Sequence, residues 1–408
     1  MTTLAAQAKN TGNAAQVRVP VLGAAPDLRF TVDGDAALEH HLARTCERLG
    51  KGIQGLVPAA KLEGILLGGG YGRGEGGVLR TAQGDQPYND LEFYVCIRGN
   101  RHWNERQYGR ALHTLGEILT PQAGVEVEFR ITSLQELQDA SISMFSYDLV
   151  SGHRWVIGAD ALLANCAHHR QGELIPLGEA TRLMMNRCSG LLFATERLQR
   201  ATFTPADADF VARNVAKAQL AAGDAVLTAY GEYHWSVQER QRRLGRLARL
   251  EEAPWLNDVC HHHGTGVEFK LHPRHTTATR EQLSGLLAHV SDFCREVWLW
   301  LEGRRLRRGF RSVAEYADVQ VKCPDGRRMR TILVNAKVLG FGALFAGNTL
   351  RHPRERILTA LPLLLWQTAA ITSGKTHVLA RVQHELRTEA SSFSGLVSAY
   401  QEIWSRVN

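Results

Sequence analysis

Ile65-Leu66-Leu67-Gly68-Gly69-Gly70-Tyr71-Gly72-Arg73-Gly74-Glu75-Gly76-Gly77, with Asn89-Asp90-Leu91-Glu92-Phe93-Tyr94-Val95 shortly after it, is the stretch from which the rest of the chain can be read. The apolar triplet predicts a buried strand, at about residues 64–67, that breaks into a glycine-dense turn. Without side chains in the way, backbone amides of such a turn can converge on an anion. In the second piece the strand period of two puts Asp90, Glu92 and Tyr94 on one face and Leu91, Phe93 and Val95 on the other. One face is read as chemical and the opposite one as core.

Outward from this pair, Asp35 is placed to cap a helix carrying Leu38, Leu42, Cys46 and Leu49, which Gly50 to Gly55 is expected to stop. Val78, Leu79 and Arg80 before Gly84-Asp85 predict a short excursion, a loop or hairpin, ahead of the carboxylate strand. A helix is expected from Trp103 to Leu119, broken by Pro121. Val125, Val127, Phe129 and Ile131 alternate with Glu126, Glu128 and Arg130, which predicts a third strand with another carboxylate face.

From about Gly172 the pattern becomes helical. Thr204-Pro205-Ala206-Asp207 has a capping residue, a proline at the first helical position and an acid three after the cap, opening a helix that can run to about Ala229. Further helices are expected at 179–198, 281–301, 353–372 and 391–405, and Asp325-Gly326 between Val319–Cys323 and Met329–Val334 predicts a hairpin. The fold class is therefore α+β: a tail over residues 1–25, a small mixed α/β domain over 26–165, and a larger, mainly helical domain over 166–408 containing that hairpin.

At 408 residues and 44% hydrophobic content, a sizeable core is expected. The net charge of +7 is unevenly spread: residues 1–165 hold 15 Lys and Arg against 18 Asp and Glu, and residues 166–408 hold 33 against 23. Arginine clusters at 240–249, 304–311 and 327–330 read as solvated faces or, more sharply, as a polyanion surface. Seven dispersed cysteines without a C-x-x-C pair argue against a zinc site or disulfide scaffold and fit a reducing cytoplasm. Cys260-His261-His262-His263 reads as an exposed loop, because neighbouring residues point in different directions. No apolar run approaches the 18 residues of a membrane span, and the first 20 residues lack a signal pattern, so a cytoplasmic chain with no membrane partner is expected.

Acids on neighbouring strands beside a glycine turn are a plausible cage for Mg²⁺, which prefers oxygen ligands and shares them with substrate phosphates. Asp90 and Glu92 supply two ligands. Spacing leaves Glu126 and Glu128 open for the third, with Glu126, nearer the strand start, preferred. Gly69 and Gly70 would offer amides to a triphosphate at the start of a short helix, Arg73 would contact a phosphate, and Glu75 would orient Arg73 or favour the helix start. In the helix from Pro205, Arg213, Lys217, Leu220 and Asp224 form a stripe, read either as a solvated face or as a cleft wall in which Lys217 meets phosphate and Asp224 is a general base. Tyr230, Tyr233, His234 and Trp235 are core or the lining of a base or sugar pocket. His272 and Arg274 are polar loop candidates.

The run Gly69-Gly70-Tyr71-Gly72-Arg73-Gly74-Glu75 followed by Asp90-Leu91-Glu92 resembles the signature of the polymerase-beta-like nucleotidyltransferase superfamily, a glycine-rich turn with arginine and then D-x-[DE] on the next strand. The resemblance covers residues 60–160. It implies a short mixed sheet, two-ion Mg²⁺ chemistry on Asp90, Glu92 and a later acid, and transfer of a nucleoside monophosphate, AMP in the first instance, from an NTP to a hydroxyl or phosphate of an acceptor. Two departures are a longer spacing between glycines and acids and Glu92 in place of the commoner aspartate. The helical half is similar in arrangement to antibiotic nucleotidyltransferases, which implies a small-molecule acceptor. A protein or tRNA acceptor, a nucleotide-binding protein without turnover, and a purely structural protein are the rival expectations.

Overall fold

The structure, a computed structural model, describes residues 29–250, 255–323, 334–335, 351–373 and 376–407. The expected tail at 1–25, the Asp325-Gly326 turn and the cluster Arg327, Arg328 and Arg330 lie outside them. Val319–Cys323, the first arm of the expected hairpin, is not a strand.

The chain is α+β. The first helix, α1 (Ala36–Leu56), is capped by Asp35, whose carboxylate accepts from the Leu38 amide at 2.8 Å. It runs through the glycines expected to stop it, because Gly50 and Ile53 are buried against the sheet side of the helix and tertiary packing outweighs the propensity cost. Strand β1 (Leu62–Leu67) leads to the single turn α2 (Gly69–Gly72), and then to a hairpin of β2 (Val78–Thr81) and β3 (Gly84–Pro87), the excursion read from Gly84-Asp85. Strand β4 (Leu91–Ile97) carries Glu92, with Asp90 just before its first residue. Helix α3 (Arg101–Ala123) takes Pro121 into its last turn and ends at Gly124, which adopts φ 75°. Strand β5 (Val127–Thr132), helices α4 (Leu134–Asp139) and α5 (Met144–Ser151) and strand β6 (Arg154–Ile157) complete this half.

The sheet order is β5-β4-β1-β6, with β4 and β5 parallel and the other pairs antiparallel. One face packs on α1 and α3 through Ile65, Leu67, Leu91, Phe93 and Val95. The face read as chemical also carries core: Leu66, Tyr94 and Cys96 are buried with Leu137, Leu149 and Leu163.

The helical half contains α6 (Leu177–Leu198), α7 (Pro205–Ala229), α8 (Val237–Leu250), α9 (Trp255–Leu271), α10 (Arg280–Leu306) and α11 (Val313–Ala317), then helices at Pro353–Trp366, Thr368–Thr372, Thr376–Leu386 and Phe393–Val407. Thr204 and Asp207 form the reciprocal cap expected at the start of α7. The expected 353–372 helix is interrupted at Gln367. Helices α8 and α9 have no counterpart in the sequence reading. Cys260 to His263 lies inside α9 instead of in an exposed loop, with His262 and His263 buried. One continuous core joins α6, α7 and α10 to the C-terminal helices. All seven cysteines are free, and no helix among the described residues is long and apolar enough to cross a membrane.

Candidate functional site

The glycine turn is held from both sides. Gly68 N–H donates to the Glu92 carbonyl at 2.9 Å, and Gly72 N–H donates to the Gly68 carbonyl at 3.0 Å. Among the described residues the amides of Gly69, Gly70 and Tyr71 donate to no protein acceptor, so three donors remain at the turn. Gly69 has φ 61°, and a Cβ there would sit 3.6 Å from Glu92 Cδ, which places the Glu92 carboxylate directly over the turn. Helix α2 is one turn long, so the expected support from a helix dipole is small.

Asp90 is exposed just before β4, and Glu92 is half-buried, accepting from Tyr94 Oη at 3.0 Å. The parallel register pairs Glu92 with Glu128, while the Glu126 carbonyl accepts from the Leu91 amide at 2.8 Å. Glu128 meets Arg130 at 3.3 Å, and both Glu126 and Glu128 line a groove against α3 with Glu105 and His113. Among the described residues no three His, Cys, Asp or Glu side chains group closely enough to hold a metal ion. The cage of Asp90, Glu92 and Glu126 is therefore not assembled, and Glu128, the register partner of Glu92, is paired with Arg130. Asp90 and Glu92 by themselves still fit an ion such as Mg²⁺, which is commonly held by one or two carboxylates together with substrate phosphates and water.

Arg73 is directed away from solvent. Its Nη1 pairs with Asp148 Oδ2 at 3.3 Å, and Asp148 accepts from Tyr233 Oη at 3.2 Å. Arg240 donates to Tyr233 Oη at 3.3 Å and to the Asp224 carboxylate, whose other oxygen meets His263 Nε2 at 3.1 Å. Burial pushes the Asp148 carboxyl up, with Arg73 opposing. Burial would also raise Asp224, but Arg240 and His263 outweigh it and hold the carboxyl below its ordinary value. A buried, ion-paired carboxylate with both oxygens engaged is a weak proton acceptor, so its surroundings fit an anchor better than the expected general base. Glu75 does not orient Arg73. It accepts from Ser236 Oγ at 2.6 Å and from the Val237 and Gln238 amides at 2.8 and 3.3 Å, capping α8 across the two halves.

The stripe on α7 forms a cleft wall. Lys217, Leu220 and Asp224 line a pocket of about 120 Å³ with Arg187 from α6, Gly266, Phe269 and Lys270 from α9, and Tyr88 and Asn89 from the approach to β4. Gly266 is required there, since a Cβ would lie 2.6 Å from the Leu220 amide nitrogen where α9 crosses α7. Desolvation of its ammonium in the cleft lowers Lys217 to about 8, with Arg187 and Arg213 adding repulsion and Asp90 opposing them, although the side chain keeps solvent contact. Burial lowers Lys270 to about 7, helped by Arg73 and Arg240. Lys217 is thus within electrostatic reach of Asp90, but it shares its pocket with neither Gly69 nor Gly70.

Arg187, Lys270 and Asp148 are site residues that the sequence reading missed; none stands in a motif, and only packing brings them to the cleft. Tyr233, His234 and Trp235 line a separate cavity of about 570 Å³ with His153, Arg170 and Arg243, while Tyr230 stacks on Trp300 at 6.1 Å. His272 is taken up by Asp33 at 3.1 Å and Glu268 at 3.2 Å. Four of the five arginines in the 240–249 cluster are ion-paired: Asp224 binds Arg240, Glu239 binds Arg242 and Arg243, and Glu232 binds Arg246. No family model, no curated protein and no solved structure matches this chain.

Proposed function

We propose that the chain is a metal-dependent nucleotidyltransferase that moves a nucleoside monophosphate from an NTP to a small-molecule acceptor. The observation that carries this reading is the juxtaposition of three free amides at Gly69, Gly70 and Tyr71 with Glu92 above them and with Asp90 next to Asn89, which lines the pocket of Arg187, Lys217 and Lys270. Acids next to amides and cations suit a ligand that is both polyanionic and metal-bearing.

Gly69 and Gly70 would orient the phosphates, and Asp90 and Glu92 would hold Mg²⁺. A bound Mg²⁺ would neutralise charge on the phosphates. The acceptor hydroxyl oxygen bonds to the α-phosphorus while the bond from that phosphorus to the bridging oxygen of the β-phosphate breaks. Pyrophosphate leaves with the electron pair, and the hydroxyl proton passes to water. The chain's contribution is positioning and electrostatic stabilisation. Arg73, tied to Asp148, would stiffen the turn instead of meeting a phosphate directly.

The test is incubation with each α-labelled NTP, Mg²⁺ and a cell extract. Label is expected to enter small molecules, and Asp90→Asn is expected to reduce transfer at least about 100-fold with an unchanged unfolding curve. Undiminished transfer by that variant defeats the assignment. The missing third carboxylate favours a second reading, an NTP-binding protein without turnover. In that case NTP raises the melting temperature without any pyrophosphate release.

A further inference from the structure

Three cations, Arg187, Lys217 and Lys270, converge on the pocket between the approach to β4 and helices α6, α7 and α9. The one acid among its lining residues, Asp224, is already matched by Arg240 and His263. None of the three cations forms an ion pair within 4.0 Å among the described residues, so the pocket carries an excess of positive charge. At about 120 Å³ it has room for about four waters, or for one tetrahedral oxyanion, but not for a nucleoside.

Its position relative to the glycine turn matters. The pocket meets the sheet through Tyr88 and Asn89, where Gly77 at the end of the glycine run packs against Asn89 and the Lys270 carbonyl, whereas Glu92 lies over Gly69 at the start of the turn. Neither Gly69, Gly70 nor Glu92 lines it. With the triphosphate on the glycine turn, an anion in this pocket belongs to the second substrate.

We propose that the Arg187, Lys217 and Lys270 pocket binds a phosphate group of the acceptor, so that the acceptor is a phosphorylated small molecule. This rests on the nucleotidyltransferase reading for the word acceptor, while the anion site itself stands on the pocket alone. Lysine as a point charge and arginine as a planar fork are complementary donors for one phosphate.

The charged groups around Lys270 are Arg73 and Glu75 from the glycine turn, Asp224 on α7 and Arg240 on α8; those around Lys217 are Arg187 on α6, Arg213 on α7 and Asp90. Charges are balanced around Lys270 and cations outnumber acids two to one around Lys217, so desolvation is the main cause that draws both ammonium groups towards losing protons near neutrality, and an arriving anion would oppose that loss. Anion affinity is therefore expected to fall as pH rises through about 7 to 8.

The experiment is calorimetric titration of the full chain with inorganic sulfate, a probe whose own charge is constant over this range, at pH 6.5 and pH 9. Saturable binding that weakens at least about tenfold at the higher pH is expected. Lys217→Met, on an exposed position of α7, is expected to weaken it about tenfold, and Lys270→Met likewise, with circular dichroism confirming the fold. No saturable sulfate or phosphate binding by the unaltered chain, or unchanged binding by both folded variants, overturns the site.

A second arm adds ATP and Mg²⁺. Sulfate affinity within about twofold of that without nucleotide supports an acceptor site. Competitive displacement by ATP overturns that assignment and gives the pocket to the nucleotide's own phosphates. If ATP does not bind at all while sulfate does, the nucleotidyltransferase reading fails and the acceptor role fails with it.

Discussion

At the residue scale, the difference between Asp90 and Asp224 is one of surroundings. Asp90 is exposed at the approach to β4, whereas Asp224 is buried and bonded on both oxygens. Asp224→Asn leaves Arg240 as an uncompensated buried cation, and unfolding by guanidinium is expected to show a loss of about 3–5 kcal/mol. A Asp90→Asn variant should show almost none. Because the Asp224 carboxyl is held below its ordinary value, its contribution is complete above that value and is lost as the pH falls through the lowered one. Lys270 gives the same sign of slope in a higher pH window. Between about 7 and the ordinary lysine value of 10.5 the unfolded chain holds a proton that the folded chain does not. Stability therefore rises with pH across that window, and Lys270→Met should flatten the rise in denaturation curves taken from pH 7 to pH 10. The sequence displayed Asp90 and Glu92 by period, but it carried no mark of which acids would be buried and paired.

At the element scale, α7 was legible from end to end because its cap, its proline and its apolar spacing agree. Thr204→Ala removes a donor and an acceptor from the helix start and should cost about 1 kcal/mol. Helix α9 was not legible, since three consecutive histidines interrupt any apolar period. What makes those histidines helical is partners from other elements: Gln219 Nε2 meets His262 Nδ1 at 2.9 Å, Phe293 stacks on the His262 ring at 4.1 Å, and Asp224 bonds His263. The contact between α7 and α9 depends on Gly266. Gly266→Ala should push the helices apart and cost about 1–3 kcal/mol, measured by thermal unfolding, with a parallel loss of sulfate affinity because Lys217 and Lys270 sit on opposite sides of that contact. Helix α1 shows the converse case, in which glycines that read as a stop are overridden by burial.

At the scale of the whole molecule, the two halves are joined by buried charge as well as by apolar packing. Glu75 from the glycine turn caps α8, and Arg73 reaches Tyr233 through Asp148. Glu75→Ala strips the first amides of α8 of their acceptor, and hydrogen exchange at residues 236–240 should accelerate with a global loss of about 1–3 kcal/mol. If the halves were independent, exchange would change locally with no global loss. The sequence by itself determined the α+β class, the strand and glycine turn, the paired acids and the well-capped helices. These are set by local period and by backbone sterics, which act over a few residues. Long-range packing alone settles that Glu128 beside Glu92 is paired with Arg130, that Arg73 and Asp224 are anchors, and that Arg187, Lys217 and Lys270 share one pocket. Those outcomes depend on desolvation and charge pairing between residues far apart in the chain, and neither quantity has a period to be read.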